Sequence, residues 1–138
     1  MKQAMKKVVI AGSASLQDRV AHWEQFWESR GHIVTASPRK ISREKYEEKY
    51  PAVHAEFYAA LNDADIVFIM NEDKNGMSGY IGAETFAELA YVVANGLLGK
   101  QQTRVMLLKI PEDRVQSYEE ITLWHRLGWI QLFDTAKI

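Results

Sequence analysis

The stretch DIVFIMNEDKNGMSGYIG, Asp65–Gly82, decides how the rest of the chain is read. Asp65 to Met70 is the most hydrophobic run in the sequence, and Val, Ile and Phe dominate it. Short continuous apolar runs of this kind belong to strands buried on both faces, as at the centre of a parallel sheet. Asn71 to Gly82 then carries Gly76, Gly79 and Gly82. That glycine density marks a loop that needs unusual dihedrals or a close approach to a ligand.

Working outward from there, Lys7–Ala11 (KVVIA) is a second β-branched apolar run, closed by Gly12 and Ser13. Leu16, Val20, Trp23 and Trp27 follow at helical spacing, with Gly31 as the stop just beyond Arg30. His32–Ala36 (HIVTA) is a strand, and the polar stretch Ser37–Tyr50, punctuated by Pro38 and Pro51, predicts a loop or lid. Val53, Phe57, Ala60 and Leu61 predict the helix that leads into the central strand. Downstream come a helix over Ala83–Asn95, a strand over Arg104–Leu108, a helix over Tyr118–Leu127 and a short strand over Trp129–Phe133, with Trp124, Trp129 and Phe133 expected as an aromatic cluster that either caps the core or forms a subunit contact.

Strands alternating with helices at this spacing, joined by right-handed crossovers, give a parallel sheet with helices on both faces. The expectation is therefore an α/β, doubly wound, flavodoxin/Rossmann-like domain with five strands in the order 2-1-3-4-5. The sequence has no internal repeat or linker, so residues 1–138 are read as one domain. In such sheets the chain reverses direction between the first and third strands, and ligands bind in the crevice beyond their carboxyl ends. The loops after Ala11 and Met70 fall at that crevice.

Composition narrows the function. With 17 basic and 18 acidic residues the net charge is −1, so neither nucleic acid nor an anionic membrane is an expected partner, and a small molecule is. Cysteine is absent, which removes thiolate catalysis, disulfides and thiolate-bound zinc, and the four histidines show no metal-ligand spacing. No metal and no cofactor are expected. Met1–Lys7 leads straight into a strand-like run and no apolar run approaches a membrane span, so the expected location is the cytoplasm. The first turn, GSASLQD, lacks the GxGxxG spacing that a pyrophosphate needs, and a GxSxG elbow is absent.

The helix over Ala83–Asn95 is apolar nearly all round: Phe86, Leu89, Ala90 and Val93 form a stripe, with Ala87, Tyr91, Val92 and Ala94 around it. Such a helix is expected to be buried, its outer side against a second copy in a homodimer or larger homo-oligomer. Glu84 and Glu88 interrupt it at i, i+4, either as partly desolvated carboxylates reserved for chemistry or as a solvated edge.

The run Asn71–Gly96, NEDKNGMSGYIGAETFAELAYVVANG, resembles the active-site segment of the nucleoside 2-deoxyribosyltransferase family and its nucleotide N-glycosidase relatives. Thr85, Glu88, Ala90 and Gly96 keep that segment's register, and Gly12 and Asp65 stand where the pattern puts them. The likeness runs from the start of the chain to about Ile110, and its central segment is the most specific part. Glu84 departs from it, standing where the family often has glycine, and Glu56 lies within one residue of the expected acidic position on the helix before the central strand.

The resemblance implies that Glu88 attacks the anomeric carbon of a (deoxy)nucleoside or nucleoside 5′-monophosphate and displaces the base. A second acid must protonate that base, with Asp73, Glu84 and Glu56 as candidates. Ser13, Asn71 and Tyr80 either orient sugar or phosphate or serve as turn and cap residues, and Gly79 and Gly82 are expected at the same site together with Gly12, Asp65, Glu56 and Thr85. Arg39, Lys40 and Arg43 follow the second strand, either as a 5′-phosphate contact or as a solvated basic loop. Two other readings stay open: a non-catalytic nucleotide-binding sensor of the same fold, and a phosphoribohydrolase.

Overall fold

The computed structural model describes residues 4–138; the reading of the opening segment falls partly on Met1–Gln3, outside that range. Five strands, β1 (Lys7–Gly12), β2 (Ile33–Ala36), β3 (Ile66–Met70), β4 (Arg104–Leu107) and β5 (Gln131–Leu132), form one sheet in the order β2-β1-β3-β4-β5. Every pairing is parallel. The helices are α1 (Gln17–Ser29), α2 (Tyr46–Asn62), α3 (Ala83–Leu97) and α4 (Tyr118–Arg126). The chain has the doubly wound α/β fold. Among the described residues no helix is long and apolar enough to cross a membrane.

Burial on both faces explains the apolar strands. All five residues of β3 are buried, and Val8–Ala11 of β1 are fully so. Alternate residues point to opposite sides. Val9, Ala11, Val67 and Ile69 pack with Leu61, Leu89, Val92 and Ile121 on the side of α2, α3 and α4. Val8, Ile10, Phe68 and Met70 pack with Val20, Trp23 and Trp27 of α1 on the other. Gly31 (φ +84°) ends α1 as expected, its N–H donating to the Glu28 carbonyl.

Four expectations are corrected. The expected lid is largely helical: Arg43–Lys45 forms a 3-10 turn that runs into α2, and Pro51 sits inside α2. A proline one turn into a helix removes one hydrogen bond and does not stop it. The face of α3 is rotated, because Thr85, Glu88, Leu89, Val92, Val93 and Asn95 are buried while Phe86 and Ala90 are only partly so. β5 is reduced to two exposed residues at the sheet edge. The expected terminal aromatic cluster is divided, Trp124 stacking on Phe86 at 5.5 Å while Phe133 joins Trp23, Phe26 and Phe68 on the α1 side.

Candidate active site

At the carboxyl edge of the sheet a cavity of about 670 Å³ opens between β1, β2 and the facing helices α2 and α3. Its floor is the Gly12–Ser15 turn and the end of β2; its walls are the inward residues of α2 and the first turns of α3. The cavity lies at the expected switch point, displaced toward β2, and the loop after β3 reaches it through Lys74, Tyr80 and Gly82.

Gly12 is required by packing. A Cβ there would stand 2.9 Å from the Met70 carbonyl oxygen, so only glycine lets β1 and β3 end side by side. Ser13 lines the cavity and its Oγ accepts from Lys74 Nζ at 2.6 Å, while that ammonium sits 5.5 Å from the Tyr80 ring centre. Gly82 caps α3 in an extended conformation, and Thr85, buried one turn on, lines the same space.

Glu88 is the most unusual group in the site. It is 7% exposed and lines the cavity. Burial first, and the neighbouring Glu84 charge second, push its carboxyl up from 4.5 to about 8. Among the described residues no donor or cation answers it. Glu84 is exposed and held from α2: Tyr50 donates its hydroxyl to Glu84 Oε1 at 3.2 Å, and His54 Nδ1 stands 3.6 Å from the same oxygen. Burial and the Glu84 charge in turn raise the Tyr50 phenol, and burial followed by Glu88 and Glu84 raises Tyr58.

Several sequence-derived candidates are placed elsewhere. Asp65 lies at the amino end of β3, where it accepts from the Lys7 N–H at 2.8 Å. The strand separates it from the cavity by about 16 Å at 3.3 Å per residue. Asp73 points away from the cavity; the Lys109 ammonium at 3.0 Å and the Gly79 N–H hold its carboxyl low. Asn71 is buried and ties the loop to the end of β4, donating to the Lys109 and Gly79 carbonyls and accepting from the Lys109 N–H. Gly79 (φ +68°) fits under that clamp, where a Cβ would meet Pro111 Cα at 2.8 Å. These two serve the loop's own packing. Glu56 does line the cavity, but is exposed and paired with Arg39 at 3.5 Å. Lys40 also lines it; Arg43 does not.

The aromatic face of α2 went unread in the sequence. Tyr46, Tyr50, His54 and Tyr58 recur every four residues and stack ring on ring, with centroids 5.3, 4.9 and 4.7 Å apart. Tyr46, Tyr50 and His54 line the cavity. The signal was present as an i, i+4 repeat, hidden because Pro51 interrupts it. No protein-family model matches this chain, and no curated protein matches it significantly.

Proposed function

We propose that this protein transfers or hydrolyses the N-glycosidic bond of a (deoxy)nucleoside or nucleoside 5′-monophosphate, with Glu88 as the nucleophile. One observation carries the reading: a carboxyl buried without donor or counter-ion on the wall of a large cavity at the sheet's carboxyl edge. Burying a carboxyl this way opposes folding, and perturbed groups of this kind concentrate where chemistry is done.

In the proposed reaction the ionised Glu88 oxygen bonds to the anomeric carbon as the carbon–nitrogen bond breaks, its electron pair leaving with the base. The carboxylate also stabilises the oxocarbenium-like charge that develops before the bond closes. Attack on the same carbon by a nitrogen of an acceptor base, or by water, then releases Glu88. Lys40 and Lys74 bring positive charge to the cavity, which supports a substrate bearing a 5′-phosphate. The aromatic wall of α2 suits a planar base. Exposed Ala87, Ala94, Leu97 and Leu98 on the outer side of α3 support self-association of this chain.

In the unliganded protein at neutral pH, Glu88 is mostly protonated. The nucleophilic form is then the ionised minority, and ionisation of Glu88 by itself makes kcat/KM rise with pH toward about 8, before any acid limb from the group that protonates the base. The same protonation favours one other reading, in which neutral Glu88 donates a hydrogen bond to a ligand that is bound and not turned over.

Incubation with deoxynucleosides and their monophosphates plus an acceptor base, followed by chromatography of the free bases, separates these readings. Turnover that falls at least about 10³-fold in Glu88→Ala, with ligand binding retained, is the expected result. Tight binding without turnover in the wild type would replace the enzyme with the sensor. Turnover of ribonucleotides alone would make it a phosphoribohydrolase.

A further inference from the structure

The glycosyl-transfer reading leaves the proton for the departing base without a source, and three carboxylates considered for it are otherwise engaged. Asp73 lies outside the cavity on Lys109, Glu56 is paired with Arg39, and Glu84 already accepts from Tyr50. The Tyr50 phenol is raised and its hydroxyl is committed to Glu84. We propose that His54 of α2 is a catalytic residue that donates this proton, oriented by Glu84 and clamped between Tyr50 and Tyr58; the assignment rests on the glycosyl-transfer reading.

Three observations carry it. His54 lines the same cavity as Glu88 but projects from the facing helix. A nucleophile and a leaving-group acid must approach a sugar from opposite sides, which two facing helices supply and one helix does not. Second, Glu84 Oε1 stands 3.6 Å from Nδ1, and among the described residues Nε2 has no protein partner. A carboxylate beside one ring nitrogen with the other free for proton transfer is the orienter–imidazole arrangement of acid–base catalysis; here the two stand at ion-pair distance, a contact of the kind that tightens to a hydrogen bond when substrate binds. Third, the ring is stacked on Tyr50 (4.9 Å, 25°) and packs at a tilt against Tyr58 (4.7 Å, 44°), although α2 buries only Leu61. The stack therefore fixes the imidazole at a cavity wall and not in a core.

The balance is simple. As the carbon–nitrogen bond breaks, the imidazolium N–H passes its proton to a ring nitrogen of the base remote from that bond, N7 in a purine, and the base leaves neutral with the electron pair on the nitrogen that held the sugar. Glu88 closes on the anomeric carbon, and His54 is left neutral. In the second half His54 takes the proton lost by the attacking water or acceptor base, and the imidazolium is restored. The reactive form thus has its proton on His54 and not on Glu88.

The test compares 2′-deoxyguanosine with N7-methylated 2′-deoxyguanosine, each as nucleoside and 5′-monophosphate, because the methylated base is already cationic and leaves without a proton. His54→Gln and His54→Phe are both assayed, the second keeping a ring in the stack, with thermal melts beside them. Loss of at least about 100-fold in kcat/KM on the unmethylated substrate, against less than about 5-fold on the methylated one, is expected. Equal losses on both substrates, or no loss on either, would overturn the assignment. If the wild type turns over neither substrate, the glycosyl-transfer reading itself fails first.

Discussion

Two helices face each other across the cavity and are built to opposite rules. α3 buries Thr85, Glu88, Leu89, Val92, Val93 and Asn95, so the residues that hold the sheet and the residue proposed to react share one face. α2 is the longer of the two and buries only Leu61; its inward face is a ladder of tyrosine and histidine rings. An aliphatic face is a core, whereas a half-buried aromatic and polar face is a wall waiting for a ligand. On this contrast, changes in α3 alter stability and activity together, and changes at the half-exposed Tyr46, Tyr50 and His54 end of α2, away from Leu61, alter activity alone.

The largest effect belongs to Glu88. Its folded pKa lies above the unfolded value, so above 4.5 the unfolded chain is ionised while the native chain retains a proton until about pH 8. Unfolding therefore releases a proton in that window, and stability falls as pH rises through it. The shift sets a ceiling of about 5 kcal/mol on this loss. Glu88→Gln removes the titration, so the wild type's melting temperature should fall relative to the variant's between pH 5 and 8 and then run parallel, by calorimetry at matched ionic strength. Parallel curves across the whole range would mean that the carboxyl is solvated in both states.

Leu89 tests the same helix with no charge involved. It is fully buried against the sheet, one residue from Glu88. Leu89→Ala should lower unfolding stability by about 3 kcal/mol in denaturant titration, and should reduce turnover as well because the cavity it leaves lets α3 shift. A variant destabilised by that amount with unchanged kcat would break the coupling claimed for α3.

The contrast also explains what could be read beforehand. The sheet was legible because KVVIA and DIVFIM are too uniformly apolar for anything but strands covered on both faces, and chain handedness then leaves few orders. Gly12, Glu84 and Glu88 stood out because a glycine turn and an i, i+4 carboxylate pair fall at the carboxyl edge of that sheet, whereas Thr85 rested on the resemblance alone; all four line the cavity. Glycine density could not say what approaches closely: at Gly79 it is the Pro111 backbone. Asp65 came from the resemblance against the carboxyl-end rule, and it sits at the amino end of β3, where it accepts from the Lys7 N–H. The α2 wall stayed hidden because Lys, Glu and Pro51 read as loop, while its rings stack only once the helix has formed.

The smallest effect, and the sharpest on the α2 side, is at Tyr46. Its ring ends the ladder, lines the cavity and is 45% exposed, with only Tyr50 stacked on it at 5.3 Å. Removing it forfeits one half-solvated ring pair, worth less than about 1 kcal/mol of stability. A base stacked on the wall would lose a comparable amount on binding, so Tyr46→Ala should raise KM about 2- to 5-fold and leave kcat nearly unchanged. That split is read by steady-state kinetics beside a melt within a few degrees of the wild type. A fall in kcat with KM constant would move Tyr46 from the wall into the chemistry. A large fall in melting temperature would make α2 a core helix after all, and the two helices would no longer differ in kind.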